Sequence, residues 1–211
     1  FKDSQNRLWI GLFGKGLDLY NSETKSFQHI IGEPINIWSI AEKKDGKLLI
    51  ATMGNGIRVL DPTTQEITFF HPELTEKNIM TVFVDKENKI WVGTAENGLD
   101  IWDEGTKQFV HYKHDYRDSF SISNNEIREI FQDSKGGIWI GTEGGGLNRW
   151  LGNGRFERIG TKNGLIANSV MGITEDKDGM IWVTTFEGIS QINQESKVVR
   201  NFDFRTFQNT N

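Results

Sequence analysis

The sequence contains no cysteine and only three prolines, and no apolar run approaches the length of a membrane-spanning helix, roughly 18 residues. Without cysteine there are no disulfides, zinc–thiolate sites or thiol nucleophiles, although the compartment stays open. Basic residues are not in excess: 24 Lys and Arg face 29 Asp and Glu, for a net charge of −5. Such a chain lacks the electrostatic footprint of a nucleic-acid binder. No signal peptide opens it and no methionine begins it, so it reads as cut from something longer. What it does have, over 211 residues, is 23 glycines, seven tryptophans and fourteen phenylalanines. That is enough apolar and aromatic matter for a sizeable core, and it argues against disorder.

The glycines raise a question in GIWIGTEGGGLNRW (137–150), which has the density of a phosphate cradle. The same pattern returns as WIGLFGKGLDLY (9–20), LIATMGNGIRVL (49–60), WVGTAENGLDIW (91–102) and WVTTFEGISQI (182–192). A nucleotide site occurs once per domain, whereas a motif at a regular period is architecture. No Lys-Ser or Lys-Thr follows the glycines, and no helical periodicity does, so no nucleotide or other cofactor is expected.

Aligned on their central residue, the five copies give the column Trp9, Leu49, Trp91, Trp139, Trp182, at spacings of 40, 42, 48 and 43. Six residues upstream stand Asp3, Lys43, Asp85, Asp133 and Asp176, and three upstream Asn6, Gly46, Asn88, Gly136 and Gly179. Asp opening a turn, with Gly or Asn where φ is positive, specifies a tight hairpin between two strands. The strands on either side, such as IREIFQD and GIWIGT, are apolar on both alternating faces, so the sheet is covered on both sides. A third strand follows Gly16, Gly56, Gly98, Gly146 and Gly188, and a fourth closes each unit (KSFQHI, EITFFH, KQFVHY, GRFERI, KVVRNF). Four antiparallel strands in about forty residues, repeated five times, predict an all-β fold of β-propeller blades. The blades span approximately 1–35, 36–77, 78–123, 124–167 and 168–211, and the first lacks most of its first strand. The tail DFRTFQNTN (203–211) does not carry the first-strand pattern that would complete it.

NNEIREIFQDSKGGIWIGTEGGGLNRW (124–150) and NSVMGITEDKDGMIWVTTFEGISQI (168–192) resemble the two-component regulator propeller repeat, as do the connector HYKHDYRDSFSISNN (111–125) and Asn163-Gly164-Leu165. The second copy departs from it with Lys43, Leu49 and Ala51. The resemblance implies part of a larger ring, usually seven-bladed, in the periplasmic sensor region of a bacterial membrane receptor. Hybrid two-component histidine kinases that detect glycan breakdown products are the best-known example. It implies an oligosaccharide or other small ligand, a homodimer in the intact receptor, and membrane contact only through segments absent from this sequence.

His29, His71 and His111 each follow a fourth-strand Phe by two residues, with Arg158 and Arg200 in the same places, so they lie in separate blades and cannot share a metal. Asp176-x-Asp178-Gly179 faintly resembles a calcium loop but lacks the full ligand series. There is no nucleophile elbow and no Ser-His-Asp or Cys-His arrangement, so no catalytic residue is assigned. Loops linking second to third and fourth to first strands share one propeller face, where recognition would sit. The candidates there are His114, Tyr116, Arg117 and Asp118 in the long connector, Glu143 and Phe186 in two turns, and Trp38. Trp38 stands where other first strands have Met80, Arg128 and Met171, and serves either the channel or packing. A propeller lyase or glycosidase and a pure interaction scaffold are the competing readings.

Overall fold

The computed structural model describes residues 1–71, 74 and 76–203, so the expectation about the tail concerns residues outside the described ones. Sheet one orders β1 (Leu8–Leu12), β2 (Gly16–Asn21) and β3 (Ser26–Ile31), with an isolated bridge from Lys2 to Leu8. Sheet two orders β4 (Asn36–Glu42), β5 (Leu48–Met53), β6 (Ile57–Leu60) and β7 (Ile67–Phe69). Sheet three orders β8 (Ile79–Val84), β9 (Ile90–Thr94), β10 (Leu99–Asp103) and β11 (Gln108–Tyr112). Sheet four orders β12 (Ile127–Gln132), β13 (Ile138–Thr142), β14 (Gly146–Gly152) and β15 (Arg155–Ile159). Sheet five orders β16 (Val170–Glu175), β17 (Ile181–Thr185), β18 (Gly188–Ile192) and β19 (Val198–Asp203). A short 3-10 turn, Thr161–Asn163, is the helical element among the described residues. Each sheet is a meander of antiparallel neighbours, the blade expected from the repeat.

The chain divides into two compact units, one of residues 1–94 and 101–109, the other of 95–100 and residues from 110 onward. In the first unit, β5 shows why its run is apolar on both faces. Leu48 and Ile50 pack with Trp9 and Leu17 of sheet one, whereas Leu49 and Ala51 pack with Ile79, Ile90 and Val92 of sheet three. The second unit repeats this between sheets four and five, where Trp139 and Leu147 meet Val170, Ile181 and Val183. The glycine two residues after Trp9 and after Trp139 makes room for the neighbour. A Cβ on Gly141 would come within 2.4 Å of Val170 Cγ1, and one on Gly11 within 2.6 Å of Ile37 Cγ2. Burying a tryptophan this completely is worth about 3–5 kcal/mol against truncation to alanine.

The Asp and Trp columns are one device. Asp133 Oδ1 accepts the backbone N–H of Lys135 and Gly137, closing the hairpin, while Oδ2 accepts the Trp139 indole N–H at 2.8 Å. Asp3 with Trp9, Asp85 with Trp91 and Asp176 with Trp182 repeat this at 2.8, 2.8 and 2.6 Å. Two consequences follow. The buried indole donor is satisfied, as a buried N–H requires. And both Asp176 oxygens are committed to protein donors, so turn capping accounts for the motif that resembled a calcium loop. The Trp182 and turn hydrogen bonds hold the Asp176 carboxyl below its ordinary range. In sheet two, Lys43 and Leu49 remove acceptor and donor together, and Asp45 takes over the Lys47 amide at 3.1 Å.

Neighbouring sheets within each unit are also stapled. The Ser4 amide and hydroxyl donate to the two oxygens of Glu42 at 2.7 and 2.6 Å. Ser134 does the same to Glu175 at 2.6 and 2.8 Å.

Candidate functional site

In four of the glycine turns the amide of the glycine that opens the third strand is already used within the protein. Gly16 donates to Ile35 O, Gly56 to Lys77 O, Gly98 to Asn125 O and Gly146 to Asn168 O. Each bond joins a second-to-third-strand turn to the connector leading into the next sheet, so the two loop classes share an end of the sheets. Gly146 is also irreplaceable in shape: its φ is +86°, and a Cβ would lie 2.4 Å from Ile159 O.

In the second unit this end is built mainly by the connector from Lys113 to Glu126. The segment is an ordered scaffold, not a solvated strap. Arg158 of β15 donates to Ser121 O at 2.7 Å, to Asp118 O at 2.8 Å and to Ser121 Oγ at 2.6 Å. Asn148 of β14 accepts the Ser123 amide and donates to its hydroxyl. The Phe120 ring lies under the Arg155 guanidinium at 3.8 Å. His114, one of the expected binding residues, is instead tied to Ile122 O through Nδ1 at 2.8 Å. The Asp118 carboxylate accepts the Phe120 amide at 2.9 Å. Tyr116, 78% exposed, and Arg117, whose guanidinium sits 5.1 Å from the Tyr116 ring centre, face water. Lys113 Nζ donates to Asn97 Oδ1 at 3.0 Å, which brings the Glu96–Asn97 turn beside the connector.

The residue that the sequence reading passed over is Arg128. Each first strand of sheets two to five carries a register break at one place: Trp38, Met80, Arg128 and Met171 each fall in the gap between paired neighbours. A β-bulge re-aims the side chain it carries. This resolves the oddity of Trp38, which is 45% exposed in the first unit, as is Met171, 40% exposed, in the second. Arg128 Nη2 pairs with Glu126 at 2.7 Å, and its Nε lies 3.3 Å from Glu143 Oε2. That second contact is an ion pair without hydrogen-bond alignment, and both atoms are buried with no hydrogen-bond partner. The other Glu143 oxygen accepts the Ser169 hydroxyl at 2.8 Å. So Glu143, alone among the expected site residues, joins a polar cluster of Arg128, Glu126 and Ser169. Phe186 is 66% exposed at its own turn.

Two fourth-strand residues, His71 and Arg200, lie out of the register that spacing suggested. Asp18 pairs with His29 across sheet one, and the side chains meet through His29 Nδ1. His111 meets the buried Asp100 likewise at 2.6 Å. In sheet two, however, Arg58 faces Phe69, so His71 lies two residues beyond the place its spacing suggested. Arg200 is also displaced, since Ser190 faces Asn201 and bonds it at 2.7 Å. The turns are alike, Asn21 to Ser26 in sheet one and Asp61 to Glu66 in sheet two; what differs is that Phe27 and Phe69 stand two register positions apart.

Residues 121–144 and 164–187 match the sequence model of the two component regulator propeller family. No curated protein matches the chain. Among solved structures it is similar to virginiamycin B lyase from Staphylococcus aureus, at 14% identity and a TM-score of 0.70, covering 96% of this chain and 68% of the lyase. It is similar to PorZ, a surface component of the type-IX secretion system of Porphyromonas gingivalis, at 18% identity and a TM-score of 0.68, covering 93% of this chain and 32% of PorZ. The β-propeller domain of Cps50 (Swd1) from Myceliophteria thermophila aligns at 15% identity and a TM-score of 0.66, over 96% of this chain and 70% of that one. The chain thus spans about a third of PorZ and about two thirds of the other two. Identities this low carry the fold and no activity. With serial antiparallel sheets, four of them four-stranded, and propellers among its structural counterparts, the chain is a β-propeller that matches the two component regulator propeller repeat at residues 121–144 and 164–187.

Proposed function

We propose that this propeller is the non-catalytic recognition part of a bacterial two-component receptor. It would lie on the periplasmic side, read a glycan-derived oligosaccharide, and pass its state to a histidine kinase output through the geometry of a receptor homodimer. The observation that carries the binding role is the bulged Arg128 held between Glu126 and Glu143, with one imperfect ion pair. A guanidinium and two carboxylates at a loop-bearing end recognise hydroxyls and charged groups by exchanging partners. The exposed Tyr116–Arg117 pair adds an aromatic and a cation from the connector of the same unit. Rigid sheets stapled side by side move as bodies, a form of change suited to relay.

The test is a thermal-shift screen of the chain against neutral and acidic oligosaccharides, followed by calorimetric titration of any that stabilise it. Arg128→Ala and Glu143→Gln are expected to weaken such a ligand about tenfold or more. Turnover of the oligosaccharide, or affinity unchanged in both variants, overturns the reading. An intact receptor that stays monomeric with and without ligand overturns the dimer relay.

A further inference from the structure

The sequence holds four Asn-Gly pairs, at 55–56, 97–98, 153–154 and 163–164. Such a pair is chemically labile. The glycine amide nitrogen, unhindered by a side chain, can attack the asparagine Cγ and expel the side-chain nitrogen as ammonia. The attack needs that nitrogen free to lose its proton and to close on the side chain. Three of the four glycine nitrogens are held: Gly56 donates to Lys77 O at 3.0 Å, Gly98 to Asn125 O at 2.9 Å and Gly164 to Thr161 O at 3.1 Å. Two of these asparagines are held by their side chains as well. Asn97 Oδ1 accepts Lys113 Nζ at 3.0 Å, and Asn163 Oδ1 accepts the Gly160 amide at 3.1 Å. Asn153-Gly154 is different. It is the two-residue turn between β14 and β15, outside the ladder that pairs Gly152 with Arg155, and its φ angles are both positive, +53° and +76°. Neither the Gly154 amide nor the Asn153 side chain has a hydrogen bond among the described residues, and Asn153 is exposed.

The turn also sits against the long connector where that segment crosses sheet four. Phe156 donates its amide to Phe120 O at 2.8 Å, and the Arg155 guanidinium, with no ion pair among the described residues, lies 3.8 Å from the Phe120 ring centre. Gly154 lies so close to the Tyr112 ring that a Cβ would come within 2.9 Å of its Cε1, and that ring packs edge-on with Trp150 and Phe156. We propose that Asn153 is a site of spontaneous deamidation, and that the isoaspartate formed there loosens the connector at this crossing. Water is the only co-reactant. The Gly154 nitrogen loses its proton and bonds Asn153 Cγ, the Cγ–Nδ2 bond breaks, and ammonia leaves behind a five-membered succinimide. Water then opens the ring at either carbonyl. One opening gives aspartate. The other gives isoaspartate, whose main chain runs through Cβ and Cγ and is longer by a methylene. A lengthened residue does not close the same two-residue turn, so Gly154 is drawn off the Tyr112 ring. The new carboxylate, two residues from Arg155, competes with Phe120 for the guanidinium.

The test is ageing of the intact chain in mildly alkaline buffer, followed by tryptic mapping in a mass spectrometer. Trypsin places each Asn-Gly pair in its own peptide, with Asn153 in 150–155. In the folded chain, deamidation at Asn153 is expected to run about fivefold or more ahead of the other three, each of which must first break an amide hydrogen bond. In denaturant, where those bonds are gone, the four pairs should react at similar rates. Hydrogen exchange at the Phe156 amide should quicken about fivefold in the isoaspartate-bearing chain. Asn153→Asp, which adds the charge without lengthening the main chain, should quicken it less. Asn153→Gln, aged for the same time, should exchange as it did when fresh. Deamidation of the folded chain no faster at Asn153 than at the other pairs overturns the site. Unchanged Phe156 exchange in a chain fully converted at 153 overturns the loosening.

Discussion

Sheets two and four solve the same structural problem with different residues. Sheet four closes its first hairpin with Asp133, locks Trp139 to it, and slides Gly146 beneath the Ile159 carbonyl. Sheet two has Lys43, Leu49 and a Gly56 that no described residue covers at the same places, yet keeps four strands and buries Leu49 completely. The repeat is therefore held by two separable layers. Apolar packing on both faces of the second strand is common to both sheets. The polar clamp is added where donor and acceptor occur together and dropped where both go. Losing one alone would strand a buried partner, which is the costly case.

This contrast is sharpest at the clamp. Asp133→Ala strips acceptors from Trp139, Lys135 and Gly137, and should cost about 3–5 kcal/mol in chemical denaturation. Lys43→Ala should fall within about 0.5 kcal/mol of the parent. Equal effects at the two positions would dissolve the two-layer description. The glycines come next. Gly146→Ala meets a carbonyl and should cost about 3 kcal/mol, whereas Gly56→Ala meets no described residue within 4 Å and should cost only the left-handed backbone strain of about 1 kcal/mol.

A third difference is in pH. Burial pushes the Glu129 carboxyl on β12 up to about 7. The matching residues are Ser39 in sheet two and Gly172 in sheet five, which do not titrate. A folded-state pKa above the unfolded value near 4.5 means the folded chain keeps a proton the unfolded chain has released. Stability from this group is greatest below about pH 4.5 and falls as pH rises through 7. Glu129→Gln should therefore stabilise the chain by about 2–3 kcal/mol at pH 8 and by nearly nothing at pH 4.5. Asp176 has the opposite sign. Its depressed pKa makes its clamp favourable above the unfolded value of 3.8, and the benefit is lost as pH falls below that. Melts of the parent and Glu129→Gln across pH 4–8 read the Glu129 effect directly. A small change is expected at the staple: Glu175→Ala should cost about 1 kcal/mol, since its bonds to Ser134 are solvent-exposed.

Much of this fold was legible in the sequence because a repeat shows its own alignment. The Trp spacing placed the second strands, the Asp-x-x-Gly turns placed the hairpins, and continuous apolarity announced sheets covered on both faces. The site was less legible, for three physical reasons. A bulge breaks the alternation by which a strand's faces are read, so Arg128 and Trp38 looked anomalous instead of equivalent. Phe27 and Phe69 look equivalent by spacing but stand two register positions apart, so His71 was grouped with histidines it does not match. And which connector residues face inward depends on contacts forty positions away, as Arg158 shows by claiming the backbone at Asp118 and Ser121. The coupled loss at Lys43 and Leu49 was visible as two departures from the pattern. That they were one change needed the indole hydrogen bond.

The recognition reading is tested most directly by backbone amide NMR on the isotopically labelled chain, titrated with an oligosaccharide that raises its melting temperature. The two ends of sheets four and five serve as internal controls for each other. The prediction is that shifts concentrate at 113–120, 126–128 and 143–145, while the Asp133 and Asp176 hairpins at the opposite end stay still. Shifts confined to those hairpins, or a stabilising ligand that moves neither Arg128 nor Glu143, would contradict it.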